Sequence, residues 1–226
     1  SHLQNGYPHG VEDWNYPPYP NGEALPAGFR DSNLSLRQGP EYDCERGDLW
    51  LSDPARDVET PYYGFEEVKF CNAHGDGTHG HFTEWVRNQC PEFDTLIGPG
   101  NAEPVDGIVN PIAWRTRVPE ELYSTTFVEE MTTQFLEKQA NADEPFFVQC
   151  SFNDPHHPFT PPGSYWGRYT PEDVELPASF DAEHNAPPPL QTNLKDAHAR
   201  GERAEVRVEP HAVTERETRE AIAQGG

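Results

Sequence analysis

Between Tyr123 and Phe152 the chain changes its hydrophobic period. Tyr123, Phe127, Met131 and Phe135 recur at every fourth position, an apolar stripe that predicts a helix from about Ser124–Thr126 to about Gln139. Thr126 and Glu129 stand at the spacing of a capping box. The run Phe146-Phe147-Val148-Gln149-Cys150-Ser151-Phe152 has no such period. It is short, rich in aromatic and β-favouring residues and halted by Asn153-Asp154-Pro155, which predicts a buried strand. A helix feeding such a strand is an αβ unit, and the expected fold class is α/β, with a mostly parallel central sheet flanked by helices.

Elsewhere the pattern predicts a strand over Tyr62–Phe70, a helix from about His81 to Asn88, and a last helix opened by Thr214-x-x-Glu217. Pro17-Pro18-Tyr19-Pro20-Asn21-Gly22 and Gly39-Pro40 break up residues 5–60, which read as a loop-rich excursion packed on a core at 61–180. A polar, proline-containing loop follows at 181–212, then the terminal helix at 213–226.

The loop after the apolar run carries the chemistry. In Asn153-Asp154-Pro155-His156-His157-Pro158-Phe159 two prolines stiffen a pair of imidazoles. Ligands of open α/β sheets bind at the carboxyl ends of the strands. A histidine fixed there donates to an anionic oxygen or moves a proton near neutral pH. The plainer reading of the same residues is a polar turn.

Charge narrows the partners. The chain has 226 residues with 16 basic and 39 acidic side chains, a formal net charge of −23. No basic stripe is available to release counterions, which argues against nucleic acid and anionic membranes. The same charge repels an anionic ester at long range, so an anion site must rely on local positive groups or metal. No long apolar stretch spans a membrane, and the compartment stays open. Cys44, Cys71, Cys90 and Cys150 contain no Cys-x-x-Cys pair, so neither a zinc knuckle nor a redox dithiol is indicated. Cys150 reads as a small buried hydrophobe, and a Cys71–Cys90 bridge is open to an oxidising compartment.

The stretch from Glu144 through the Pro155-His156-His157-Pro158-Phe159 element to Pro162, continuing to Tyr165-Trp166, resembles the central strand-and-loop segment of the sulfatases, in the alkaline-phosphatase-like superfamily. Other pieces fall in that family's order. Ser1-His2-Leu3-Gln4 resembles the end of its Gly-Lys-x-His-Leu motif. Tyr62-Tyr63-Gly64-Phe65 with Gly80-His81-Phe82-x-x-Trp85 resembles its middle segment. Val118-Pro119-Glu120-Glu121-Leu122-Tyr123 resembles the entry to the helix before the central strand, and Glu172-Asp173-Val174-Glu175-Leu176-Pro177 the continuation after the loop.

The resemblance implies an alkaline-phosphatase-like sandwich, of which residues 1–226 would be the central part of one catalytic domain, incomplete at both ends. It implies hydrolysis of a sulfate monoester through a formylglycine nucleophile and a divalent cation, usually calcium (Ca2+), whose ligands would lie outside this chain. It implies that His156 contacts the sulfate group and its bridging oxygen, and that His2 assists turnover of the covalent intermediate. His157 falls at the variable position of the motif. Trp114, Arg115, Tyr165 and Trp166 are candidates for a substrate wall, and the expected partner is a sulfated small molecule or glycan. With neither nucleophile nor metal ligands, these 226 residues alone are expected to be inactive.

Two patterns imitate functional motifs. Ser52-Asp53-Pro54-Ala55-Arg56 fits the bare Ser-x-Pro-x-Arg pattern of the formylglycine site, but it follows the His2 motif instead of preceding it, and Asp57-Val58-Glu59-Thr60 replaces the expected continuation. His74-Gly75-Asp76-Gly77-Thr78-His79-Gly80-His81 looks like a metal cluster, yet its glycines make ordering costly, and the family's loop at that place has no catalytic duty. The alternatives are a phosphonate or phosphate ester hydrolase of the same superfamily, and a non-catalytic glycan-binding module using Trp14, Tyr16, Tyr19, Trp114, Tyr165 and Trp166.

Overall fold

The computed structural model describes residues 43–180 and 214–225. The regular helices among them are α1 (Gly47–Ser52), α2 (His81–Gln89), α3 (Ser124–Gln139) and α4 (Glu215–Gly225), and the strands are β1 (Cys71–Asn72) and β2 (His79–Gly80). Short 3-10 turns fill in at Gly75–Gly77, Phe93–Thr95, Glu120–Leu122, Gly163–Tyr165 and Pro171–Asp173. None of the described helices is long and apolar enough to cross a membrane.

The first half of the four-residue stripe on α3 buries, and Phe135 at its far end is half-buried against Phe146. Tyr123 and Phe127 are buried with Phe82, Val86, Phe93, Val118 and Val128, and Met131 packs at the margin. The rings of Phe82 and Trp85 on α2 meet Phe127 edge-on, at centroid distances of 5.8 and 5.5 Å. Such geometry sets the positive edge of one ring against the negative face of another. Trp50 on α1 is fully buried, donates its indole N–H to the Cys44 carbonyl at 2.7 Å, and stacks obliquely on His81. The excursion before residue 61 therefore contributes core in its described part.

The last helix is docked by its acidic side chains. Thr214 and Glu217 exchange reciprocal bonds, the hydroxyl accepting from the Glu217 N–H and the carboxylate from the Thr214 N–H, each at 3.1 Å. This is a capping box, at the pattern expected to open the helix. Glu220 is fully buried and accepts from the Val109 and Asn110 backbone N–H groups at 3.0 and 2.8 Å and from the Arg216 guanidinium at 2.7 Å. A carboxylate out of water needs such a set of donors.

Several expectations need correction. Helix α3 begins at Ser124 with Tyr123 at its N-cap, and the Thr126 hydroxyl donates to the Glu120 carbonyl at 2.7 Å instead of closing a capping box with Glu129. The stretch Tyr62–Phe70 is not a strand. Tyr63 and Gly64 take φ values of 48° and 91°, and Tyr62 and Phe65 close on each other through paired backbone bonds of 2.9 and 3.0 Å. A tight reversal of that kind ends an extended run.

The run Phe146–Phe152 is not a buried strand. It joins no ladder among the described residues, and Phe146, Phe147, Val148 and Phe152 are all exposed, Phe147 at 76%. Phe146 rests against Phe135, and Phe147 against Phe65. No backbone hydrogen bond joins the run to another described segment. Among the described residues the sheet is a two-stranded antiparallel ribbon, Cys71 opposite Gly80 and Asn72 opposite His79, with one isolated parallel bridge joining Ala113 to Phe159. The described chain is thus a mixture of helices and a small antiparallel sheet.

Candidate anion site at two docked loops

The loop carrying His156 docks against the loop between β1 and β2. Asn153 begins the contact, its side-chain amide donating to the Cys71 carbonyl at 3.0 Å and to the Ala73 carbonyl. Gly75, at φ 56°, continues it. A Cβ there would lie 2.8 Å from the Pro158 carbonyl oxygen and 2.9 Å from the Thr160 hydroxyl, so only glycine admits this approach. Beyond the histidines the chain is tied to a third segment. Phe159 donates to the Ile112 carbonyl at 2.7 Å, and Trp114 donates back to the Phe159 carbonyl at 3.2 Å.

Three imidazoles meet at this junction. The His74 and His156 rings stack with centroids 3.5 Å apart and planes inclined by 11°, and His157 stacks on His156 at 4.3 Å. His156 is exposed, and its Nδ1 lies 2.6 Å from the His157 carbonyl oxygen. A carbonyl only accepts, so Nδ1 carries the hydrogen and donates it. Nε2 is left at the free edge. It is an acceptor in the neutral ring and a donor in the imidazolium.

Burial raises the pKa of two groups next to the loops. Tyr123 shares a hydrogen bond of 2.9 Å with Thr160, and burial, reinforced by the Asp154 charge, holds its phenol above the ordinary range. Burial pushes the Cys71 thiol up to about 12, with Asp154 adding to the shift. Cys71 is therefore a thiol near neutral pH and a poor nucleophile. Asp154 itself is raised by desolvation, against which the Thr125 hydroxyl donates at 3.3 Å from the first turn of α3. Solvent still reaches this residue.

The sequence-predicted residues divide. His156 lies in the junction, while His2 lies outside the described residues, as do Trp14, Tyr16 and Tyr19. Trp114 borders both loops: its backbone bonds Phe159, and its indole N–H donates to Asp76 at 2.9 Å. Arg115 pairs with Glu103 at 2.9 Å. Tyr165 is exposed and Trp166 half-buried, and their turn is anchored elsewhere, by the Ser164 N–H and hydroxyl donating to Glu120 at 2.7 and 2.6 Å. Those two donors hold the Glu120 carboxyl below its usual range.

The glycine-rich histidine loop sends its side chains to separate places. His74 goes to His156 and His79 packs against Gly47 of α1. His81 accepts the Phe70 N–H on Nδ1 and donates Nε2–H to Asp57, both at 2.8 Å. Asp76 is buried and gathers donors from Trp114, Thr116 and Gly98. His74 and Asp76 are thus parts of the junction that residue spacing presented as a metal cluster. A pointer in the sequence was the glycine beside His74, which allows the second loop to approach. Among the described residues no group of three or more His, Cys, Asp or Glu is arranged to hold a metal ion. The calcium that the resemblance implies is expected to take its ligands from outside this chain. Ser52 is exposed at the end of α1, its hydroxyl donating to the Leu49 carbonyl. All four cysteines are free thiols, which removes the Cys71–Cys90 bridge, and Cys150 is exposed instead of buried.

With the junction described, similarity to known proteins adds a chemical class. The chain is 41% identical over 49 residues to the uncharacterized sulfatase YidJ of Escherichia coli (strain K12), covering 22% of this chain and 10% of that protein. It is 26% identical to an arylsulfatase of Clostridium perfringens (strain 13 / Type A), over 133 residues that cover 52% of this chain and 27% of the relative. Both relatives are sulfatases. The chain thus spans about a tenth and about a quarter of the length of the curated relatives it matches. No family model matches, and no solved structure does.

Proposed function

We propose that this chain is part of a sulfatase that hydrolyses a sulfate monoester, with His156 as the group that meets the sulfate. Similarity to stretches of two sulfatases supports the class. The observation that carries the role is the ring itself: Nδ1–H is committed to the His157 carbonyl, and the Nε2 edge of an exposed, stacked imidazole is left to a ligand. As the imidazolium, His156 donates from Nε2 to a sulfate oxygen, a charge-assisted bond of the stronger kind. The same proton passes to the bridging oxygen as the S–O bond breaks and an attacking nucleophile, which the described residues do not identify, takes the sulfuryl group; this is general acid catalysis. Tyr123 and Cys71 keep their protons at neutral pH and contribute no charge to the site.

Turnover of 4-nitrophenyl sulfate by the full-length protein, with 4-nitrophenyl phosphate and a phosphonate monoester as comparators, tests the reading. A larger kcat/KM for the sulfate is expected. Preference for the phosphate or phosphonate moves the assignment to those ester hydrolases. Binding of a sulfated glycan with no hydrolysis of any ester replaces it with a binding module.

A further inference from the structure

We propose that His74 is a positioning residue for the anion site, a ring against which His156 is held in one orientation with Nε2 presented to the ligand. The inference rests on the reading of His156 as the sulfate-binding group. An exposed imidazole on a loop turns about its side-chain bonds, and each orientation lost on binding weakens the bond that forms. Here one face of His156 is covered at 3.5 Å by a ring from a different segment, in nearly parallel planes. The cover is not a sequence neighbour that would move with the loop. It stands between β1 and the Gly75–Gly77 turn, placed by left-handed backbone at Ala73 (φ 66°) and Gly75 (φ 56°).

Independent contacts hold the two loops in that register. Asn153 spans from the start of the histidine loop to the Cys71 and Ala73 carbonyls, and Gly75 lets Pro158 and Thr160 approach within the space of a missing Cβ. Asp76, two positions beyond His74, is fixed by Trp114, Thr116 and Gly98. The stack is therefore set by the packing of the hairpin, and His156 is oriented by both the stack and its Nδ1 bond. His74 itself donates nothing to the reaction in this account.

Titration of the full-length protein with inorganic sulfate, followed by the His156 Cε1–H resonance, tests the proposal. In the wild type sulfate is expected to move that resonance, and His156→Ala to abolish binding. His74→Ala is expected to shift the resonance downfield before any sulfate is added, because the ring current of the stacked partner is gone. Sulfate affinity should then fall about tenfold, the scale of a lost stacked pair. His74→Phe, which keeps a ring and removes both nitrogens, should restore affinity to within about threefold of the wild type. The proposal is overturned if His74→Ala leaves resonance and affinity unchanged, or if His74→Phe binds as weakly as His74→Ala. Wild-type protein that ignores sulfate, or binding that survives His156→Ala, sinks the anion reading and this inference with it. The resonance shift between wild type and His74→Ala then still reports the stack, so the two failures are told apart.

Discussion

Asp76 accepts the indole N–H of Trp114 at 2.9 Å across 38 residues of sequence, and the same carboxylate oxygen takes the Thr116 hydroxyl at 2.8 Å and the Gly98 N–H at 3.1 Å. This buried acceptor joins the histidine loop to the segment that pairs with Phe159. Asp76→Ala strands all of these donors, and a loss of about 3 to 5 kcal/mol of stability is expected. Trp114→Phe removes one of them and should cost about 1 kcal/mol in hydrogen bonding. Urea denaturation of both variants measures the difference; an Asp76→Ala chain as stable as the wild type would show that the carboxylate holds nothing.

The His81 ring gives a pH dependence. Burial lowers its pKa from the ordinary value of 6.5, with the Asp57 hydrogen bond opposing. Its Nδ1 accepts the Phe70 N–H, so the folded chain holds the neutral ring. The unfolded chain takes up the proton more readily, so stability is full above about 6.5 and falls as pH drops below it towards the folded value. His79, lowered chiefly by desolvation, adds to the same limb. The urea midpoint should therefore be lower at pH 5.5 than at pH 7.5, and His81→Asn should narrow the gap. A midpoint rising on acidification over that range contradicts the assignment.

Two phenylalanines separate the core from the apolar run. Phe82 is 1% exposed among Val86, Phe93 and Phe127, and Phe82→Ala should cost about 3 to 5 kcal/mol. Phe147 is 76% exposed, and Phe147→Ser should change stability by no more than about 0.5 kcal/mol. Melting curves of the pair decide it. A Phe147→Ser chain as damaged as Phe82→Ala would return the run to the interior.

These contrasts show what the sequence carries. The α3 helix and the helix opened by Thr214-x-x-Glu217 are local patterns, and each lies where its spacing puts it, with Tyr123 and Phe127 buried. The run at Phe146–Phe152 is different. Its composition says that it favours an extended, covered conformation; cover depends on another segment lying alongside, and the run itself does not encode that segment. Tyr63-Gly64 hid a reversal within an apolar stretch, since Tyr63 takes a positive φ that its residue type does not advertise. For the site, Pro155-His156-His157-Pro158 was legible as chemistry, whereas the stack was not. Three histidines in one glycine-rich loop give no direction for any ring, and packing against α1, Asp57 and His156 sends each a different way.

In the proposed function the exposed edge of His156 meets the sulfate. The direct measurement is kcat/KM of the full-length protein and its His156→Ala variant on 4-nitrophenyl sulfate, with the melting temperature of each. A fall of about a hundredfold or more is expected, the range of a lost proton-transfer group, with melting little changed because the ring is exposed. A folded His156→Ala protein that turns over the sulfate at the wild-type rate would contradict it.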